Sequence, residues 1–194
     1  TFLDSSTNAF TITRNGNTTQ GSFSPYGSNW SNYFDGVSDY LSLADNAAFD
    51  LGTGDFTIEA WVYHTTASGV LQVYYSHNVN GMALYRNASG YLELAQDSVA
   101  ALATSNTLVP SNTWTHVAAS RSGTSLKLFI DGVVVATVTN STSLSSSNSV
   151  YVGSDASATY EFTGYISNLR LVKGTAVYTA AFTPSTAPLT AITN

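Results

Sequence analysis

The stretch WTHVAASRSGTSLKLFIDGVVVATV, residues 114–138, decides the fold. Leu126, Leu128 and Ile130 alternate with Lys127 and Phe129, the two-residue period of a strand with one buried face. Asp131-Gly132 follows at once, and the chain resumes as Val133-Val134-Val135-Ala136-Thr137-Val138. Asp-Gly between two β-prone runs predicts a type I′ hairpin, because that turn needs positive φ at both central positions. The earlier run from Trp114 to Ser120 is also β-prone, and Ser122-Gly123-Thr124 supplies a second turn. A meander of three strands results.

Outward from this meander, the pattern repeats. Phe56, Ile58, Ala60 and Val62 alternate with Thr57, Glu59, Trp61 and Tyr63. Residues 70–75, 82–85, 91–94, 150–153 and 164–172 read as further strands, with a hairpin turn over 87–90. Towards the N-terminus, Phe10–Thr13 and Tyr40–Leu43 read as short strands, and residues 21–33 as coil pinned by aromatics. No segment carries a capped 3.6-residue stripe. Many short strands separated by Gly and Asn turns mean an all-β sandwich or barrel.

Composition narrows the function. Hydrophobic residues make up 43% of the 194, while charged residues are only 9%, against roughly 25% in an average domain. The surface is therefore polar through Ser, Thr, Asn and Gly. With six scattered basic residues and a net charge of -6, nucleic acid is excluded as a partner, since phosphate recognition needs clustered cations. The absence of cysteine rules out disulfides and thiolate metal sites. No apolar run approaches the roughly 18 residues of a membrane span, so membrane insertion is not expected. Thr1 is not a natural start, and the chain reads as a mature product or a piece of a longer one.

Taken together, four blocks resemble the laminin G-like branch of the concanavalin A-like lectin and glucanase superfamily. They are Phe34-Asp35-Gly36 with Asp39-Tyr40-Leu41, the run Phe56–Val62, Trp114–Ala118 with Leu128–Gly132, and Tyr151-Val152-Gly153 with Phe162–Arg170. The resemblance implies a two-sheet antiparallel jelly-roll β-sandwich over residues 34–179. An N-terminal strand and coil, 1–33, would pack on it, and 180–194 would form a linker-like tail. The Ser- and Asn-rich flanks are similar to units in virion and tail proteins of marine bacteriophages and in bacterial surface proteins. An extracellular place on a virion or cell surface follows from that, with Thr1 and Asn194 as cuts in a longer polypeptide.

Part of this superfamily hydrolyses β-glucans, which needs two carboxylates set about the scissile bond. The family's Glu-x-Asp-x-x-Glu strand is missing, and Glu59, Glu93 and Glu161 each read as isolated carboxylates on a strand surface. There is no Gly-x-Ser-x-Gly elbow, and His64, His77 and His116 lack metal-ligand spacing. The chain is thus expected not to be an enzyme.

Calcium enters through the resemblance. In pentraxin-like sandwiches the ion lies between an Asn/Asp loop and the loop after the Val-Gly strand. The matching positions here are Asn78 and Asn80, with Asp155 after Gly153. Only Asp155 would carry charge, which predicts weak affinity. Asp35 is a second candidate ligand.

Glycan binding needs aromatic faces beside hydrogen-bonding groups. Tyr74, Tyr75, Tyr85 and Tyr91, with His77 and Arg86, supply that mixture in sequence. Asn17, Asn29, Asn87 and Asn140 stand in Asn-x-Ser/Thr triplets, as chance allows in so Asn- and Ser-rich a chain. The leading expectation is a non-catalytic adhesion domain for cell-surface or environmental polysaccharide. A virion decoration or spacer domain, packed on other virion subunits, is the alternative, and a glycan-active enzyme the remote one.

Overall fold

In the computed structural model, which describes residues 2–27 and 30–192, Asp131 and Gly132 take φ of 48° and 77°. Both central positions are left-handed, as a type I′ turn demands. The strands, in chain order, are β1 (Thr13–Asn15), β2 (Thr19–Gly21), β3 (Ser31–Asp35), β4 (Tyr40–Leu43), β5 (Phe56–His64), β6 (Gln72–His77) and β7 (Met82–Arg86). They continue as β8 (Tyr91–Gln96), β9 (Ala100–Leu108), β10 (Thr115–Ser122), β11 (Ser125–Ile130), β12 (Val133–Thr139), β13 (Val150–Val152) and β14 (Thr163–Lys173). One 3₁₀ turn, Ala47–Phe49, is capped by the Asn46 side chain.

The strands pair into two sheets of seven. Sheet I runs β1-β4-β13-β6-β7-β8-β9, and sheet II runs β12-β11-β10-β5-β14-β3-β2. Every pairing is antiparallel. This is the jelly-roll sandwich that the alternation and the four blocks predict.

The core lies between the sheets. Ile58 and Val62 of β5, Val117 of β10 and Leu128 of β11 meet Leu84 of β7 and Leu92 of β8, all fully buried. Each such side chain contributes about 1.5–3 kcal/mol by leaving water. Arg121 is also fully buried. Its guanidinium donates to the carbonyls of Gly52, Gly54 and Thr142 and lies 5.0 Å from the centre of the Phe56 ring. A buried cation with its donors filled can tie loop carbonyls that no strand satisfies.

Two elements differ from expectation. The first strand starts only at Thr13, while Phe10 packs against Phe49 at 4.9 Å. Ala100–Leu108, for which no strand is expected, forms the edge strand β9 along β8. Both flanks are built into the sandwich: β1 joins sheet I, β2 joins sheet II, and Phe182 N–H donates to Gly132 O at 3.0 Å. No helix among the described residues is long and apolar enough to cross a membrane.

Candidate functional site

A β-bulge between Val73 and Tyr75 turns both Tyr74 and Tyr75 towards the core. They are 0% and 2% exposed, so neither offers a ring face to a ligand. The Tyr74 hydroxyl meets His64 Nε2 at 2.9 Å, and burial drives both phenols well above the ordinary range. His77 is buried against Phe49, with Nε2 3.5 Å from Asp45 Oδ1. Arg86 is buried too, and donates to Thr66 O, Ala67 O, Gln72 Oε1 and Ser111 Oγ. These four residues belong to the interior, because alternation places one face of β6 and β7 inward and the bulge adds a residue to it. Tyr85 and Tyr91 keep partial exposure. The Tyr85 hydroxyl donates to Glu93, and burial first, then that carboxylate, raises its pKa.

The calcium set does not converge. Register pairs Val150 with His77 and Val152 with Tyr75, so the chain after β13 runs back towards the start of β6, where Val73 N–H donates to Tyr160 O at 3.1 Å. Asp155 therefore sits at one end of β6 while Asn78 and Asn80 follow the other. Six residues of strand separate the two ends by roughly 20 Å. Asp155 instead binds its own loop, accepting Thr159 N–H at 2.9 Å, Tyr160 N–H at 3.1 Å and the Ser157 hydroxyl. Burial opposes its charge, but these bonds hold its pKa below the ordinary value. Asp35 accepts Val37 N–H and the Asn17 amide. Among the described residues no three His, Cys, Asp or Glu side chains stand where one ion could join them. Of the Asn-x-Ser/Thr positions, Asn87 and Asn140 cap their own turns, and Asn29 lies outside the described residues.

Glu59, expected on a strand surface, is fully buried. Its Oε2 accepts from His116 Nε2 at 3.0 Å and from the Tyr178 hydroxyl at 2.8 Å, and its Oε1 from Arg170 Nε at 2.9 Å and Nη2. Both oxygens are occupied by protein donors. The cluster is an anchor for the chain segment carrying Tyr178, and sequence could not display it, since its members lie far apart along the chain.

The sandwich has two outer faces, and they differ. On sheet II, register aligns Tyr33, Tyr165 and Tyr63, with Trp114 beside Tyr63 at 5.6 Å. Phe23 sits on this row, 4.9 Å from Tyr63, 4.8 Å from Tyr165 and 5.4 Å from Trp114. Further along the face, Tyr26 covers Trp61 at 6.0 Å and Phe182 covers His116 at 5.6 Å. Tyr178 stacks on Phe182 at 3.5 Å, and both touch Phe129. Sheet II is thus roofed by the chain's own flanks.

Sheet I presents a different surface. Register lines up Ser42, Tyr151, Ser76 and Ala83, with Ala95 opposite Ala83. Ser76, Ala83 and Ala95 are sunk, at 0%, 2% and 5% exposure, between larger neighbours. Tyr151 is itself part of this row, and Tyr40 stands 5.8 Å from it. Tyr85, Glu93 and Thr104 form the neighbouring row, with Glu93 accepting from Asn87 Nδ2 at 3.0 Å and Thr104 Oγ1 at 3.1 Å. Asn15 Nδ2 donates to Ser42 Oγ at 3.1 Å at the near end. Part-exposed phenol rings beside hydroxyls and amides can lay apolar faces on C–H surfaces and hydrogen-bond the groups between them. Of these residues only Tyr85 was expected in a ligand site. Tyr40 and Tyr151 share no local motif, and pairing through β13 alone brings them together.

Comparison with known proteins adds the following. A laminin G family model, described as the concanavalin A-like lectin/glucanases superfamily, matches residues 34–181. Among curated proteins no relative matches the chain. Domain 4 of AbnA, an extracellular GH43 arabinanase from Geobacillus stearothermophilus solved with arabinotriose, superposes with a TM-score of 0.66 at 18% identity. That match covers 87% of this chain and 84% of the other. A botulinum neurotoxin type C structure, described with two ganglioside molecules, gives 0.66 at 13% identity over 90% of this chain and 46% of that one. This chain spans about half the length of that toxin chain. The carbohydrate binding module CBM66 from Bacillus subtilis gives 0.52 at 15% identity, over 84% of this chain and 95% of the other. At such identities the likeness is one of fold.

Proposed function

The chain belongs to the concanavalin A-like lectin/glucanase superfamily, and from that premise we propose that it is a non-catalytic binding domain holding a glycan on the outer face of sheet I. The observation that carries this reading is the contrast between the faces. On sheet II the outward rings carry further rings of the chain's own flanks, Phe23, Tyr26, Tyr178 and Phe182, whereas on sheet I the part-exposed Tyr40–Tyr151 pair stands beside a row of small residues. Two fold neighbours are consistent with it, one solved with arabinotriose and one named a carbohydrate binding module. A place on a virion or cell surface, with polysaccharide as partner, fits the Ser- and Asn-rich, charge-poor composition.

The spacer reading draws on a separate observation. Edge strand β9 carries no charged residue, and the adjoining Val99 and its last residue Leu108 are 59% and 53% exposed. An uncharged edge is a surface on which other subunits pack.

Glycan arrays followed by calorimetry decide between them. Tyr40→Ala and Tyr151→Ala should each weaken binding of a retained glycan by roughly tenfold or more, while Phe23→Ala leaves it unchanged. Unaltered affinity in both tyrosine variants removes the site. Retention of no glycan, with tight incorporation into a particle, establishes the spacer.

A further inference from the structure

The charges on the outer face of sheet I all have one sign. Leu92 and Leu94 of β8 are buried inward, so Glu93 and Ala95 point outward by alternation, and Asp97 follows at the end of the strand. Ala95, in the row of small residues, thus lies between two carboxylates. Glu93 accepts from the Tyr85 hydroxyl, Asn87 Nδ2 and Thr104 Oγ1. Asp97 accepts Val79 N–H at 2.9 Å and the Ser98 hydroxyl. None of these donors carries a charge to offset theirs. At the end where Tyr40 begins β4, Asp35, Asp39, Asp155 and Glu161 come together. Burial, and then the charges of the other three, raise the Glu161 pKa against a backbone hydrogen bond from Ser38.

The six basic residues all lie elsewhere. Arg86 and Arg121 are buried and donate to loop carbonyls. Lys127 and Arg170 belong to β11 and β14 of sheet II, and Lys173 Nζ donates to Ala47 O at 2.8 Å. Arg14 stands opposite the inward Leu41, so alternation turns it away from the outer side that holds Thr13 and Asn15. An anionic sugar on this face would meet carboxylates and no cation, a repulsion that water and salt only screen. A sugar hydroxyl would meet an acceptor, because Glu93 Oε1 takes a single donor, Tyr85, among the described residues and keeps a lone pair. From Tyr151 on β13 to Glu93 on β8 is three strand spacings, roughly 14 Å. A chain of several sugars laid across the row therefore reaches the carboxylates.

Building on the glycan reading, we propose that sheet I selects glycans free of carboxylate, sulfate and phosphate groups, with Glu93 and Asp97 enforcing the exclusion. The test is affinity electrophoresis at low salt. Arabinan, mannan and laminarin serve as neutral probes, and alginate, polygalacturonate and dextran sulfate as anionic ones. Each neutral chain that retards the protein is then carboxymethylated and run again. At least one neutral chain should retard it, and the carboxymethyl form should bind about tenfold more weakly. The gap should close in roughly 1 M salt, where the screening length is about 3 Å. Glu93→Gln combined with Asp97→Asn should remove most of it at low salt, with the circular dichroism of the parent. Anionic chains held as tightly as neutral ones overturn the exclusion and leave the glycan site standing. So does a gap unchanged by high salt or in the folded double variant. If that variant unfolds, the salt dependence of the parent decides. Retention of no chain at all overturns the glycan reading, and the exclusion with it.

Discussion

His64 and Glu59 both lie in β5 and are both fully buried, and acid works against both. Burial, and then the Arg86 charge, lower the His64 pKa to about 3, with the Gln72 hydrogen bond opposing. An unfolded histidine takes a proton near pH 6.5 while the folded one refuses it, so stability falls as pH drops from about 6.5 towards 3. Glu59 adds a second loss. Burial opposes its charge, but His116, Arg170 and Tyr178 outweigh burial and hold its pKa below 4.5. Its stabilisation is present above the ordinary carboxylate value and disappears as pH falls through the lower folded one. Urea unfolding between pH 7 and 5 should show a slope approaching 1.4 kcal/mol per pH unit, about one proton. His64→Gln should flatten it while lowering stability overall. A slope that survives the substitution would assign it elsewhere. The partners of Glu59 stand 57, 111 and 119 positions away, which is why sequence suggested an exposed carboxylate.

At the scale of the element, the Asp131-Gly132 turn does more than join β11 to β12. Asp131 Oδ1 accepts His116 N–H at 2.8 Å, tying the turn to the start of β10. Gly132 is pressed on the outer segment: a Cβ there would stand 1.9 Å from Phe182 O at a φ of +77°. At Gly123, the other hairpin of the meander, φ is +56° and a Cβ would meet nothing within 4 Å. Gly123→Ala should therefore cost only left-handed strain, about 1–2 kcal/mol. Gly132→Ala should cost clearly more and speed chymotrypsin cleavage at Tyr178 and Phe182. Equal costs in urea would refute the contact with Phe182. The β5, β10, β11, β12 and β14 strands were legible because β-branched and aromatic residues alternate there. Strand β9 was not. Its Ala, Ser and Asn residues carry weak β preference, and its register with β8 shifts twice, so pairing alone makes it a strand.

For the whole molecule, the consequence is a sandwich whose sheet II carries rings from the chain's own flanks. Ending the chain after Gly174 would strip Tyr178 from Glu59 and Phe182 from Phe129 and His116. The melting temperature should fall by on the order of 5–10 °C, and an apolar dye should bind the bared face. Glycan retention on sheet I should persist. An unchanged melting temperature would mean that these segments are no roof.

By itself, the order of residues determined the strands of the meander, the type I′ turn and the sandwich, because alternation and turn chemistry act between near neighbours. It could not determine which tyrosines meet solvent. One bulged residue in β6 turns Tyr74 and Tyr75 inward, while pairing through β13 sets Tyr40 beside Tyr151 across more than a hundred residues. Register is a property of two strands together, and only tertiary packing chooses it.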